Sequence, residues 1–179
     1  MKRIVLLALL IGGVALAAMA QTGLDLSQPT PQLFSFNLGV PLGFSLDDDN
    51  FEGVVGGLNF GVNIAVIDKL SVGFDHITYG GAPAGTVTSP AVSFNALRVG
   101  YSLTPLLGIA LGIGGQTGSG TGTVPDGAAA SIGVYADLLQ NRSTVGVAYG
   151  LKLRVDYVTP TDDFSKGAIL FTTGISFGL

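Results

Sequence analysis

The chain has 179 residues, no Cys, no Trp and 28 Gly, and only 11% of its side chains are charged against 47% hydrophobic, with a mean hydropathy of +0.57. A soluble domain carries about a quarter of its residues as charges, which argues against an ordinary cytosolic globule, and disorder is excluded because it needs low hydrophobicity with high net charge. The net charge of −4 argues against nucleic acid as a partner, and the absence of Cys removes disulfides and thiol chemistry.

Met1-Lys2-Arg3 is followed by an apolar stretch from Ile4 to Ala17 and then by Ala18-Met19-Ala20, the layout of a secretory signal peptide. Residues 1–20 are therefore expected to be removed, residues 21–32 to form an N-terminal periplasmic extension, and residues 33–179 to form the folded domain. No later run reaches the length of about 18 apolar residues that a membrane-spanning helix needs.

From Phe34 the chain is written in period two. Phe34, Phe36, Leu38, Val40, Leu42 and Phe44 alternate with Ser35, Asn37, Gly39, Pro41 and Gly43, the signature of a strand with one apolar face. The pattern returns in Val54 to Val66, Leu70 to Phe74, Leu97 to Leu103, Leu107 to Ile113 and Ile132 to Leu138. It is clearest in Val145, Val147, Tyr149, Leu151, Leu153, Val155 and Tyr157, and the eighth segment carries Ile169, Phe171, Ile175, Phe177 and Leu179. Segments of this length can cross a bilayer as tilted strands. Their connections alternate between short (Ile67-Asp68-Lys69, Thr104-Pro105, Leu139 to Ser143) and long (Ser45 to Gly53, Gly80 to Pro90, Gln116 to Asp126, Val158 to Lys166). The expected fold is all-β: an eight-stranded antiparallel up-and-down transmembrane barrel.

Which face looks outward follows from charge. Turned to water, the small-residue face would have to supply about a quarter to a third charged residues, and it does not. Turned to the lumen, it leaves the apolar face to lipid while a closed sheet pairs every backbone polar group.

On these residues the chain resembles the small eight-stranded outer-membrane barrels of the OmpA, OmpX and OmpW type. Leu97-Arg98-Val99-Gly100-Tyr101-Ser102-Leu103-Thr104-Pro105-Leu106 looks like a tight periplasmic turn of these families, and Phe171, Ile175, Phe177 and Leu179 look like their C-terminal assembly signal, although the family normally ends in Phe or Trp. The resemblance implies an outer-membrane location in a double-membraned bacterium, outer-membrane lipid and the assembly machinery as partners, and either passage of small solutes (the OmpW group) or a surface role (the OmpX group).

The lumen face is expected to hold a polar network of Asp75, Arg98, Asp137, Lys152, Arg154 and Asp156, balanced in sign as buried charges require, with Asp75 and Arg98 at similar distance from the short turns and Lys152, Arg154 and Asp156 higher on the seventh strand. It reads either as salt bridges filling a plugged lumen or as a polar constriction. The many inward glycines, Gly57, Gly61, Gly100, Gly112 and Gly133 among them, favour strand curvature on one reading and a slender water-filled channel on the other.

Asp47, Asp48, Asp49 and Glu52 form an extracellular acidic loop without calcium-loop spacing. No metal or cofactor is expected. The single histidine lies in His76-Ile77-Thr78, which has the His-to-hydroxyl spacing of the lipid A deacylases but Thr in place of Ser and no evident acidic partner. His76 is expected near the outer membrane interface, with a β-bulge before Ile77 and Tyr79 where alternation weakens. Gly114 to Gly120 lacks the following Lys-Ser/Thr helix of a phosphate loop. The function that results is a non-catalytic barrel with a structural or surface role or a narrow passage for small solutes. The alternatives are a barrel enzyme acting on outer-membrane lipid and a secreted soluble carrier.

Overall fold

A computed structural model of the protein describes residues 33–46, 54–81, 91–104, 106–119, 126–142 and 147–179. The proposed signal peptide (1–20), the extension (21–32) and the acidic residues Asp47, Asp48, Asp49 and Glu52 lie outside the described residues.

Eight strands, β1 (Phe34–Ser45), β2 (Val54–Ile67), β3 (Leu70–Gly81), β4 (Ala91–Ser102), β5 (Leu107–Ser119), β6 (Gly127–Arg142), β7 (Ala148–Pro160) and β8 (Ala168–Gly178), pair in sequence order and close into a barrel. Every pairing is antiparallel, and β8 returns to β1 with Ser35 opposite Gly178 and Ser45 opposite Ala168. Closure is completed at the chain end, where Leu179 N–H donates to the Phe34 carbonyl at 2.9 Å. No edge is left to seek another strand.

The alternation seen in the sequence becomes an outer and an inner wall. Leu42 is 56% and Leu97 66% exposed, while Asn37 and Arg98 are 4% and 6% exposed. The outer wall carries an apolar belt with Phe36 and Phe60 in edge-to-face contact at 5.0 Å. Such a wall is stable only against hydrocarbon.

Hydrogen-bonded partners fix the tilt. Stepping from Ser35 through Asn63, Gly73, Arg98, Gly112, Ser131, Val158 and Ala168 returns to β1 at Ser45, ten residues beyond the start. A stagger of this size goes with a strand tilt of roughly 35–45° and a lumen that side chains just fill.

Three boundaries differ from the sequence reading. β6 runs through the expected turn at Leu139 to Arg142, accommodating it with a register shift between Leu138 and Asn141. The β5 and β7 ladders also extend into the expected long loops, to Ser119 and Pro160. The bulge expected before Ile77 is absent: β3 pairs with β4 without interruption from Leu70 to Gly80. The alternation persists there, and it is the inner face that turns apolar. At the β4–β5 turn, the Thr104 hydroxyl accepts from the N–H groups of Leu106 and Leu107 at 3.2 and 2.9 Å, a side-chain mimic of a backbone turn that locks the connection.

Candidate functional site in the barrel lumen

The lumen is layered along its axis, and each layer follows from which residues are in phase with the inner wall. Four of the expected network residues meet at mid-height. Arg98 on β4 reaches Asp75 Oδ2 on β3 at 2.5 Å and Asp156 Oδ1 on β7 at 3.4 Å. Arg154 on β7 contacts the Oδ2 atoms of Asp75 and Asp156, both at 2.9 Å, and donates to Asn59 Oδ1 on β2 at 3.2 Å. Asn59 in turn donates through its amide to the His76 carbonyl at 3.3 Å. Because β3 and β7 face one another across the barrel, the Arg154–Asp75 bond crosses the lumen, and the Arg98–Asp156 and Arg154–Asn59 contacts also join strands that are not neighbours, whereas Arg98–Asp75 ties adjacent strands and Arg154–Asp156 lies within β7.

The cluster is neutral and almost fully buried, with Asp75 2%, Arg154 5% and Asp156 1% exposed. Each arginine offers several donors in a fixed fork, which lets one guanidinium reach carboxylates on two strands. Glycine makes the room: a Cβ on Gly61 would run into Asp75 Oδ1, and one on Gly133 into Asp156 Oδ1. Gly61 and Gly133 are therefore the places where the wall gives room to the two carboxylates.

The other two predicted residues form a separate pair nearer the short turns. Lys152 Nζ lies 3.3 Å from Asp137 Oδ1 and 5.0 Å from the centre of the Tyr135 ring. The Tyr135 hydroxyl meets the Ser102 hydroxyl at 3.2 Å. The sequence placed Lys152, Arg154 and Asp156 together, higher than Asp75 and Arg98. The stagger of the barrel brings Arg154 and Asp156 level with Asp75 and leaves Lys152 below.

The layer toward the long loops was missed. Val55, Ile77, Tyr79, Val92, Phe94, Val158 and Leu170 all point inward and pack into one cluster, each 5% exposed or less. The signal was available: Ile77 and Tyr79 continue the phase of Asp75, Phe94 and Val92 that of Arg98, and Val158 that of Arg154 and Asp156. Periodicity alone conceals it, because the inner face changes from polar to apolar partway along these strands while the alternation continues unbroken. At this end of the lumen the inward residues are therefore large and apolar, where the sequence reading weighs only polar and small ones.

His76 faces outward, with its Nδ1 2.7 Å from Asn95 Oδ1 on β4. The Thr78 hydroxyl is engaged with the Leu58 backbone, accepting from its N–H at 3.2 Å and donating to its carbonyl at 3.3 Å. The two residues that matched the enzyme spacing thus have separate partners. Ile175, Phe177 and Leu179 point outward at the end of β8 and just past it, 50%, 42% and 67% exposed, with Phe171 on the same face. In the last loop, Asp163 caps a short 3-10 turn (Phe164–Lys166) and is bonded to Ser165, so it acts as a structural anchor of the connection.

No protein-family model matches the chain, and no curated protein does. Solved structures do. The N-terminal β-barrel domain of Pseudomonas aeruginosa OprF matches with a TM-score of 0.51 at 12% identity, over 84% of this chain and 100% of that one. The neisserial surface protein A matches with a TM-score of 0.53 at 14% identity, over 82% of this chain and 97% of that one. Ail of Yersinia pestis aligns over 84% of this chain and 100% of its own at 11% identity, with a TM-score of 0.49. With the first two the likeness is one of fold.

Proposed function

We propose that this chain, which has the fold of the small outer-membrane barrels and an outer wall made for lipid, is an outer-membrane protein that neither catalyses a reaction nor conducts solutes, and that serves as a structural and surface component of the envelope. On this reading residues 1–20 direct export, residues 21–32 remain on the periplasmic side, residues 33–179 form the membrane unit, and the face of Phe171, Ile175, Phe177 and Leu179 is what the assembly machinery engages.

The observation that carries the proposal is the double closure of the lumen. A polar crossbar of Asp75, Arg98, Arg154 and Asp156 spans it, and an apolar cluster around Phe94, Ile77 and Leu170 fills the loop end above. An ion entering from either side meets one of two different barriers: paired charges it must separate, or a water-excluding stretch in which it is not solvated.

Planar-bilayer recording tests this. The purified barrel is expected to be silent, and Arg154→Ala is expected to be silent too, because the apolar layer stays in place when the crossbar is cut. Discrete, reproducible conductance of the unmodified barrel overturns the proposal in favour of a solute passage.

A further inference from the structure

The outer wall is lopsided toward its loop end. Asp75 and Arg154 touch across the lumen, so their outward neighbours, His76 on β3 and Val155 on β7, stand at matching depth on opposite sides. From that depth toward the loops, β3 and β4 turn outward only polar or small residues, and β5 does so beyond Ile113, with His76, Thr78, Asn95, Ser93 and Thr117 carrying the polar groups. The loop-side stretches of β1, β2 and β8 turn outward Leu42, Phe44, Leu58 and Ile169.

A second, independent feature extends the apolar side. The turn after β7 folds down against the barrel wall: the Tyr157 hydroxyl donates to the Phe164 carbonyl, and a Cβ on Gly167 would run into the Tyr157 ring. This leaves Phe164 64% exposed on the connection between β7 and β8. An aromatic ring held there is placed as an interfacial anchor.

The polar face has a definite hydrogen-bonding character. The His76 ring and the Asn95 side-chain amide are hydrogen-bonded to each other at 2.7 Å on the outward face, and the Ser93 and Thr117 hydroxyls stand on the same face. No Lys or Arg lies among these five residues, so the complement is neutral or zwitterionic, not a bare anion. Set among acyl tails, those groups would be unsatisfied, which is costly in hydrocarbon.

We propose that the loop-side outer face of β3–β5 binds the headgroup and ester layer of the bilayer, with zwitterionic phospholipid sufficient as ligand, and that the barrel stands tilted as a result, its β7–β8 side sunk as far as Phe164. This rests on the membrane placement proposed above. A belt of unequal height around one barrel is a mismatch that tilting relieves.

The chain has no Cys, which makes single-site nitroxide labelling clean. Labels at Asn95→Cys and Ser93→Cys are compared with labels at Leu42→Cys and Phe44→Cys on the opposite wall, in phosphatidylcholine vesicles, with Leu97→Cys and Leu153→Cys as mid-membrane references. Collision with a water-soluble nickel complex is expected to be several-fold greater at Asn95 and Ser93 than at Leu42 and Phe44. Equal shielding of the two walls overturns the proposal, and spin–spin broadening confined to the Asn95 and Ser93 labels overturns it in favour of contact between copies. Nickel access at Leu97 and Leu153 instead removes the membrane placement itself, a separate and recognisable failure. Replacing both Asn95 and Ser93 by Leu should also raise the nickel access of the Phe44 label, as the tilt relaxes; an unchanged Phe44 label counts against the tilt.

Discussion

Asp75 is the hub of the lumen, because both arginines converge on its Oδ2 atom, Arg98 at 2.5 Å and Arg154 at 2.9 Å. Removing it leaves two guanidinium groups to share Asp156 and puts one uncompensated positive charge into the barrel. Breaking a buried pair by deleting one partner costs about 3–5 kcal/mol, so Asp75→Ala is expected to lower stability by that order in urea unfolding of the barrel in lipid or detergent. A variant indistinguishable from the parent would mean that the crossbar contributes nothing to the folded state. The pairing of Asp75 with Arg98 was legible in the sequence from their similar distance to the short-turn ends. The contribution of Asn59 was not, because an asparagine among glycines on an inner strand face carries no mark of a guanidinium arriving from the far wall.

At the scale of the element, the connection between β7 and β8 is held by its own chemistry. The Ser165 hydroxyl and then the Ser165 backbone N–H, at 2.6 and 3.0 Å, donate to Asp163 Oδ1 and hold its carboxyl below the usual carboxylate range. A carboxyl depressed by folding contributes stability that is fully present above its unfolded pKa, about 4, and that is lost as pH falls through the lowered value. The Ser165 amide is therefore expected to be protected from exchange near neutral pH and to lose protection only in acid below that range, as followed by NMR. A Ser165 amide that is already unprotected at neutral pH would remove Asp163 as the anchor. The strands themselves were legible almost throughout because period two is imprinted residue by residue. Their ends were less so: β6 continues to Arg142 through a register shift, and a shift of this kind leaves no trace in hydropathy.

For the molecule as a whole, closure decides the behaviour. With β1 paired to β8 along eleven residue positions and no free edge, detergent has no strand end from which to peel the sheet, so the barrel is expected to survive in sodium dodecyl sulfate until heated. Unheated protein should migrate as a compact species on gels and boiled protein as an extended one; identical migration would contradict a closed barrel.

The sequence by itself determined the alternation, the number of crossings, the side on which short turns gather and which face meets lipid, because each depends only on near neighbours along the chain and on the transfer of side chains between water and hydrocarbon. It could not determine which charges touch, or that an apolar cluster lies above them in the lumen. Those depend on the ten-residue stagger with which the sheet closes, and only that closure brings Arg154 and Asp156 level with Asp75 and stacks Phe94, Ile77 and Leu170 above them.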